Sequence, residues 1–271
     1  MHDESRAWAL YEDSVLLRFQ PVFTAQGQVH EYAVQGRSRA SPWQGLAPSD
    51  MGASLLAGVA FFNKYELPID LSVEHAMDMD AEGDLAARLC GDLGIALTGD
   101  ALWVNRQADH DQDGPLSVPA RRVTFLLPMN IQLCRQAELF LCYPEFNAKL
   151  RARLLPTAIG GVPSTHGVLR ALGVRVDIPD GFSENQALQW RFFSLMERAW
   201  SANLQLAVHR LDAMRDFAWL RRHGDLLFQG SALSTALSPE CLDAWLRADG
   251  NAWRSFSAAT TRWSQACSLA A

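Results

Sequence analysis

The sequence predicts a closed α/β barrel, a TIM-like (β/α)8 barrel whose first strand runs antiparallel to the others. Three observations lead there. Short runs rich in Val, Leu, Ile and Phe alternate with amphipathic stretches along the 271 residues, the pattern of strands buried on both faces and covered by helices. Eight or nine such units in about 250 residues suit a closed barrel better than an open sheet. The chain also opens on two strands joined by a short Gly-containing turn, Thr24-Ala25-Gln26-Gly27-Gln28, a hairpin that places one strand antiparallel to the rest.

Taken in order, the expected strands are Leu16–Phe23, Val29–Gly36, Pro68–Leu71, Leu102–Asn105, Val123–Leu127, Leu139–Tyr143, Val174–Ile178, Leu204–Val208 and Asp225–Gln229. Helical spacing of apolar residues marks Met51–Tyr65, Asp84–Leu93, Gln186–Trp200, Ala213–Arg222 and Pro239–Leu246, the second with Asp84 and Arg88 at i,i+4. Asp109–Pro119 and Leu155–Thr165 carry loop residues, the latter around Gly160-Gly161. No repeat or composition shift marks a boundary, so one domain over residues 1–271 is expected, with its core at about 14–250.

Composition narrows the function classes. Hydrophobic residues make up 49% and the formal charge is −6; a basic nucleic-acid face is not expected, though a local positive pocket for a small anion is compatible with that charge. No run of about 18 apolar residues suggests a membrane span. Residues 1–13 carry acids without a secretory pattern, so a cytoplasmic location is expected. The five cysteines are scattered, with no C-x-x-C spacing, and read as buried reduced thiols. Among common site signatures, G-x-S-x-G, a phosphate loop and H-E-x-x-H are all missing. Asp109, Asp111 and Asp113 lack the downstream Glu of a calcium loop. His209 ends a strand, where barrel sites lie, but a hydrogen-bonded structural role is the commoner use of such a residue. The aromatic residues of Gln189–Trp200 are expected in the core.

Two segments resemble the ends of an EAL domain. The first is Arg18-Phe19-Gln20-Pro21-Val22-Phe23 followed by Gly27-Gln28-Val29-His30-Glu31-Tyr32-Ala33-Val34-Gln35-Gly36-Arg37, similar to Q-P-I/V, a turn and Y-E-A-L-x-R. Tyr32 and Arg37 match in register, while Ala33-Val34-Gln35 replaces the signature triplet. The second is Asp225-Leu226-Leu227-Phe228-Gln229-Gly230 with Ser238-Pro239-Glu240, similar to the closing D-x-x-Q-G strand and the helix start after it. In the middle, Ala101–Asn105 resembles the strand ending in a ligand Asn, Arg122–Pro128 the L-E-x-x-E strand, and Leu169–Asp180 the strand ending in D-D-F-G. A second register puts Ile69–Ser72 on the Asn strand and Leu102–Arg106 on the L-E-x-x-E strand.

The resemblance implies a barrel of EAL type. It also implies the family's chemistry, hydrolysis of cyclic di-GMP with one or two Mg²⁺ or Mn²⁺ ions held by carboxylates, which lower the pKa of a bound water. Here the first Glu is Ala33. The Glu of L-E-x-x-E is Phe125 or, in the second register, Trp103. The first Asp of D-D-F-G is Pro179, the late Glu is His209, and no strand offers the lysine of K-I-D. Asn105, Asp180 and Asp212 are too few for a hard-metal cage, so no catalytic residue and no metal ligand set is expected, Mg²⁺ or Mn²⁺ entering only if the chain were active. Candidate ligand-binding residues carried over from the resemblance are Gln20, Arg37, Asn105, Asp180, His209 and Gln229, with Arg37 able to pair a phosphate. The resulting expectation is a catalytically inactive regulatory protein that contacts a protein partner through its opening or closing helices. The alternatives are a cyclic di-GMP receptor and a weak metal-dependent phosphodiesterase.

Overall fold

The structure, a computed structural model, describes residues 15–38, 66–73, 84–104, 117–129, 137–159 and 162–247. Eight strands close a mixed barrel: β1 (Val15–Thr24), β2 (Val29–Ser38), β3 (Ile69–Ser72), β7 (Val123–Pro128), β8 (Lys149–Ile159), β9 (Val162–Asp177), β10 (Gln205–His209) and β11 (Leu227–Phe228). β1 is antiparallel to both neighbours, β2 and β11, as the opening hairpin predicts. Parallel pairing joins β2 to β3 and β7 on one side, and β9 to β10 and β11 on the other.

Four expectations are corrected. Leu102–Asn105 does not form a barrel strand. Its residues belong to β5 (Ala101–Val104), the centre of an antiparallel sheet with β4 (Ile95–Thr98) and β6 (Ser117–Pro119). Gly99, at φ +60, makes the tight β4–β5 turn. The Leu155–Thr165 loop is instead part of the long β8–β9 hairpin, in which β8 is antiparallel to β7 as well as β9. Pro156 is tolerated there because the pairing register shifts beside it. Leu139–Tyr143 is not a strand, for Ala137–Leu141 forms a short helix, α2, with Phe140 and Tyr143 buried at helical spacing. Finally, Cys142 and Cys241 are exposed, as are Trp190 and Trp200, because apolar flanks in sequence do not by themselves create cover. Met51–Tyr65 and Asp109–Asp113 lie outside the described residues.

The other helices match their sequence signals. α1 (Leu85–Asp92) starts at Asp84, whose carboxylate accepts from the Ala86 and Ala87 amides. α3 (Gln186–Ser201) is capped by Asn185. α4 (Met214–Leu220) follows β10, and α5 (Pro239–Arg247) follows β11. The helices and the small sheet cover the outside of the barrel in two apolar clusters. One, including Phe19, Leu71, Phe125 and Leu154, is covered by α1, the small sheet and α5. The other, including Val176, Val208 and Phe228, is covered by α2, α3 and α4. No described helix is long and apolar enough to cross a membrane.

Candidate functional site in the barrel lumen

Because side chains alternate along a strand, residues whose neighbours join the outer clusters point inward. On β2 these are Glu31, Ala33 and Gln35; on β3 and β7, Asp70 and Thr124; on β8 and β9, Arg151 and Arg175; on β10 and β11, Gln205, His209 and Gln229. Gln20, Glu31, Asp70, Thr124, Arg151, Arg175 and Gln229 are all buried. The lumen is therefore polar and charged where the interiors of such barrels are usually filled by branched apolar side chains. Val22, Ala33, Ala207 and Leu227 form a small apolar plug.

Across the lumen, Arg151 donates through Nη2 to Glu31 Oε1 and through Nη1 to Gln205 Oε1 at 3.1 Å. Thr124 donates to Glu31 Oε2 at 3.4 Å. Asp70 lies one strand from this pair with its Oδ1 buried and unmatched by any hydrogen bond. Burial, then the charge of Glu31, pushes its carboxyl up to about 6 against the opposing pull of Arg175, Arg151 and His209.

At the end of the lumen where the parallel strands finish, Gln20 Oε1 accepts from Gln229 Nε2 at 3.0 Å and from Gln35 Nε2 at 3.4 Å, while Gln20 Nε2 donates to the Ser234 carbonyl at 2.9 Å. Gly230 is required next to Gln229, since a Cβ there would stand 2.2 Å from the Leu211 carbonyl oxygen. His209 Nδ1 lies 2.8 Å from Asp177 Oδ1, and Asn147 donates to Asp177 Oδ2 at 2.8 Å. Burial alone would raise the Asp177 carboxyl, but these hydrogen bonds and the charges of His209 and Arg175 hold it at about 2.

The six ligand-binding candidates thus divide. Gln20 and Gln229 meet, and His209 stands at the same end of the barrel on Asp177. Asp180 is exposed in the turn after β9. Arg37 pairs through its backbone with Leu16 at the end of β2, and its side chain is outside the described residues. Asn105 is outside them too, and the strand before it is not a barrel strand. Asp212 is exposed and accepts from Ser231.

The register also moves several correspondences. Ile69–Ser72 is a barrel strand beside β2, with Asp70 paired to Ala33, whereas Leu102–Val104, which the second register put on the L-E-x-x-E strand, lies in the small sheet. Phe125 points outward into the apolar cluster, and the inward residue opposite Asp70 is Thr124. Arg175-Val176-Asp177 ends the sixth strand counted from β1 through β2, with a cation and an acid two residues apart on its inward face. Sequence reasoning missed Arg151, although Leu150-Arg151-Ala152-Arg153-Leu154 alternates apolar and basic with the period of a strand.

These residues do not fit a hard divalent ion. Glu31 is taken up by Arg151, Asp177 by His209 and Asn147, and two guanidinium groups share the lumen with them. Among the described residues no three His, Cys, Asp or Glu side chains converge on one point.

No protein-family model matches the chain, and no curated protein matches it. Solved structures do. A standalone EAL protein from Vibrio cholerae O395, in its cyclic di-GMP-bound form, is 10% identical over 84% of this chain and 94% of that one, with a TM-score of 0.46. An EAL domain protein from Listeria monocytogenes EGD-e is 12% identical over 91% and 98%, with a TM-score of 0.45. The FimX EAL domain of Xanthomonas citri, in complex with cyclic di-GMP, is 10% identical over 87% and 92%, with a TM-score of 0.47. These three are EAL-domain proteins, the family whose motifs the two ends of this chain resemble.

Proposed function

We propose that this chain is a non-catalytic EAL-like barrel that regulates by contacting a protein partner in cyclic di-GMP-related signalling, in the cytoplasm. The single observation that carries the reading is the lumen. Where the family's motifs supply carboxylates, this barrel has Ala33 and Thr124, and its Glu31 is neutralised by Arg151. A methyl group offers Mg²⁺ no ligand, a neutral hydroxyl brings none of the charge that a carboxylate supplies to hold the ion, and a guanidinium repels it. An assay of cyclic di-GMP hydrolysis with Mg²⁺ or Mn²⁺ tests this: no turnover above background is expected, and rates typical of the family would overturn the reading.

A second reading, a cyclic di-GMP receptor without hydrolysis, is favoured by the cations Arg151 and Arg175 in the lumen and Arg37 at a strand end. Calorimetric titration with cyclic di-GMP separates the two. With the lumen cations already facing Glu31 and Asp70, affinity no better than about micromolar, near −8 kcal/mol, is expected. Any binding seen should weaken by about 1.5–3 kcal/mol in Arg37→Ala, the range for a lost charged hydrogen bond. Nanomolar binding indifferent to Arg37 would overturn the assignment of that residue.

A further inference from the structure

At the end of the lumen where the parallel strands begin, basic side chains gather that the network around Glu31 does not use. Arg151 and Arg153 alternate with apolar residues on β8 and share its inward face. Leu126 pairs with Arg151 and Phe125 with Ala152, so Arg153 stands nearer the start of β7 than Arg151 does. Across the hairpin, Arg153 is the direct partner of Arg170 on β9. The next pair, Leu154 with Leu169, packs in an outer apolar cluster, so both arginines lie on the opposite face of the hairpin. Like charges set directly opposite one another destabilise a sheet.

Neither charge is answered within the described residues. No carboxylate among them pairs with Arg153 or Arg170, and Arg153 Nε is buried without a hydrogen-bond partner. Glu31, the acid that acts on Arg153, gives one oxygen to Arg151 and the other to Thr124. A third group joins them. The β1–β2 register shifts between Val22 and Phe23 and leaves His30 as an extra residue on β2, a bulge of the kind that re-aims a side chain. Partial burial, then the charges of Arg151 and Arg153, hold its imidazole below the usual 6.5, so the ring lies within reach of both arginines of β8. The exposed Asp225 acts on His30 and not on Arg153.

We propose that Arg153, Arg170 and His30 form a binding site for a phosphate group, at the end of the barrel opposite the Gln20–Gln229 pair. Two guanidinium forks and an imidazole N–H offer more donors than the two oxygens of a carboxylate take up, and they suit a tetrahedral oxyanion. A bound dianion also cancels the repulsion between the paired arginines, so the feature that costs the empty hairpin stability is the one that holds the ligand. The −6 charge of the chain is no obstacle to a single small anion in a locally positive cleft. Free phosphate and a small phosphomonoester share this chemistry. The inference goes beyond the regulatory and receptor readings and depends on neither, since its residues stand away from the mouth of the barrel.

The test uses the full chain, titrated calorimetrically with inorganic phosphate in a chloride buffer of fixed ionic strength, beside glycerol phosphate and acetate. Saturable binding of phosphate at about 1 mM or tighter is expected. Arg153→Gln and Arg170→Gln should each weaken it at least about tenfold, as for a lost charged hydrogen bond. Arg191→Gln, on α3, should leave it unchanged. Without phosphate, Arg170→Gln should melt no lower than the parent, because it relieves the like-charged pair. Arg170 is exposed, so its variant keeps the test decisive if Arg153→Gln does not fold. Glycerol phosphate binding as well as inorganic phosphate would assign the site to a phosphate group carried on a small molecule; inorganic phosphate binding alone would assign it to the free ion; both support the proposal. Acetate binding equally well, Arg191→Gln weakening binding as much as Arg170→Gln, or a lower melting temperature for Arg170→Gln without phosphate would overturn it. So would the lack of saturable binding at concentrations up to about ten times the expected constant.

Discussion

The two faces of the barrel wall follow opposite rules. Outward, Phe19, Leu71, Phe125, Val176, Val208 and Phe228 pack into continuous apolar clusters under the helices and the small sheet. Inward, the barrel strands present Gln20, Glu31, Asp70, Thr124, Arg151 and Arg175, all buried. The outer face holds the barrel together through apolar area removed from water. The inner face costs desolvation for each charge and offsets it only by pairing. A barrel needs the first to fold. The second is a liability that any change of partner exposes, and it is where this chain departs from the motifs that its ends resemble.

The largest expected effect tests that liability. Arg151→Ala leaves Glu31 buried without its cation and should cost about 3–5 kcal/mol in urea unfolding. The double variant Glu31→Leu with Arg151→Met should recover most of the loss, since apolar replacement of a buried pair is often neutral. If the single variant is mild, the lumen is wetter than its burial implies and the contrast between the faces weakens.

On the outer face, Leu206→Ala removes a fully buried side chain beneath α3 and should cost about 2–4 kcal/mol, with no pH dependence. A marked pH dependence of that loss would show that the two faces are coupled.

Asp70→Asn sharpens the comparison with a gain. The folded carboxyl lies at about 6, above its ordinary 3.8, so ionising it costs the folded state. The contribution of Asp70 to stability is therefore most favourable below pH 3.8, is lost as pH rises from there through about 6, and is flat above. The Asn variant should be more stable by on the order of 2 kcal/mol at pH 7 and no more stable than the parent at pH 4, measured by denaturant titration across pH. A loss at pH 7 would mean that the attraction of Arg175 and Arg151 outweighs burial.

The smallest effect belongs to a local signal. Asn185→Ala removes the cap of α3, where its side chain accepts from the Leu188 amide at 3.2 Å, and should cost about 1 kcal/mol.

Parts of this division were legible before the structure. The opening hairpin, β3, β7, the end of β9, β10, β11 and four helices follow from apolar period and caps, because those signals are local. Gln20 and Gln229 were candidate ligand-binding residues from two motifs at opposite ends of the chain, and the barrel's closure brings their side chains to 3.0 Å. Asp180 was placed at the site by motif alone. The turn after β9 carries it out to solvent, and Asp177, three residues earlier, stands at the strand end instead. Arg151 was missed because Pro156, Gly160, Gly161 and Pro163 read as a loop, whereas a hairpin that shifts register beside Pro156 keeps both strands in the sheet.

By itself the sequence determined the barrel class and the antiparallel first strand, since each depends on residue type and near neighbours. Only the tertiary structure decided which strands enter the barrel, that β8 runs against both its neighbours, and that Arg151 meets Glu31 across 120 residues of chain. The physical reason is that facing is set by register. A one-residue shift in pairing turns every inward side chain outward, and the partners that fix that register are distant in sequence.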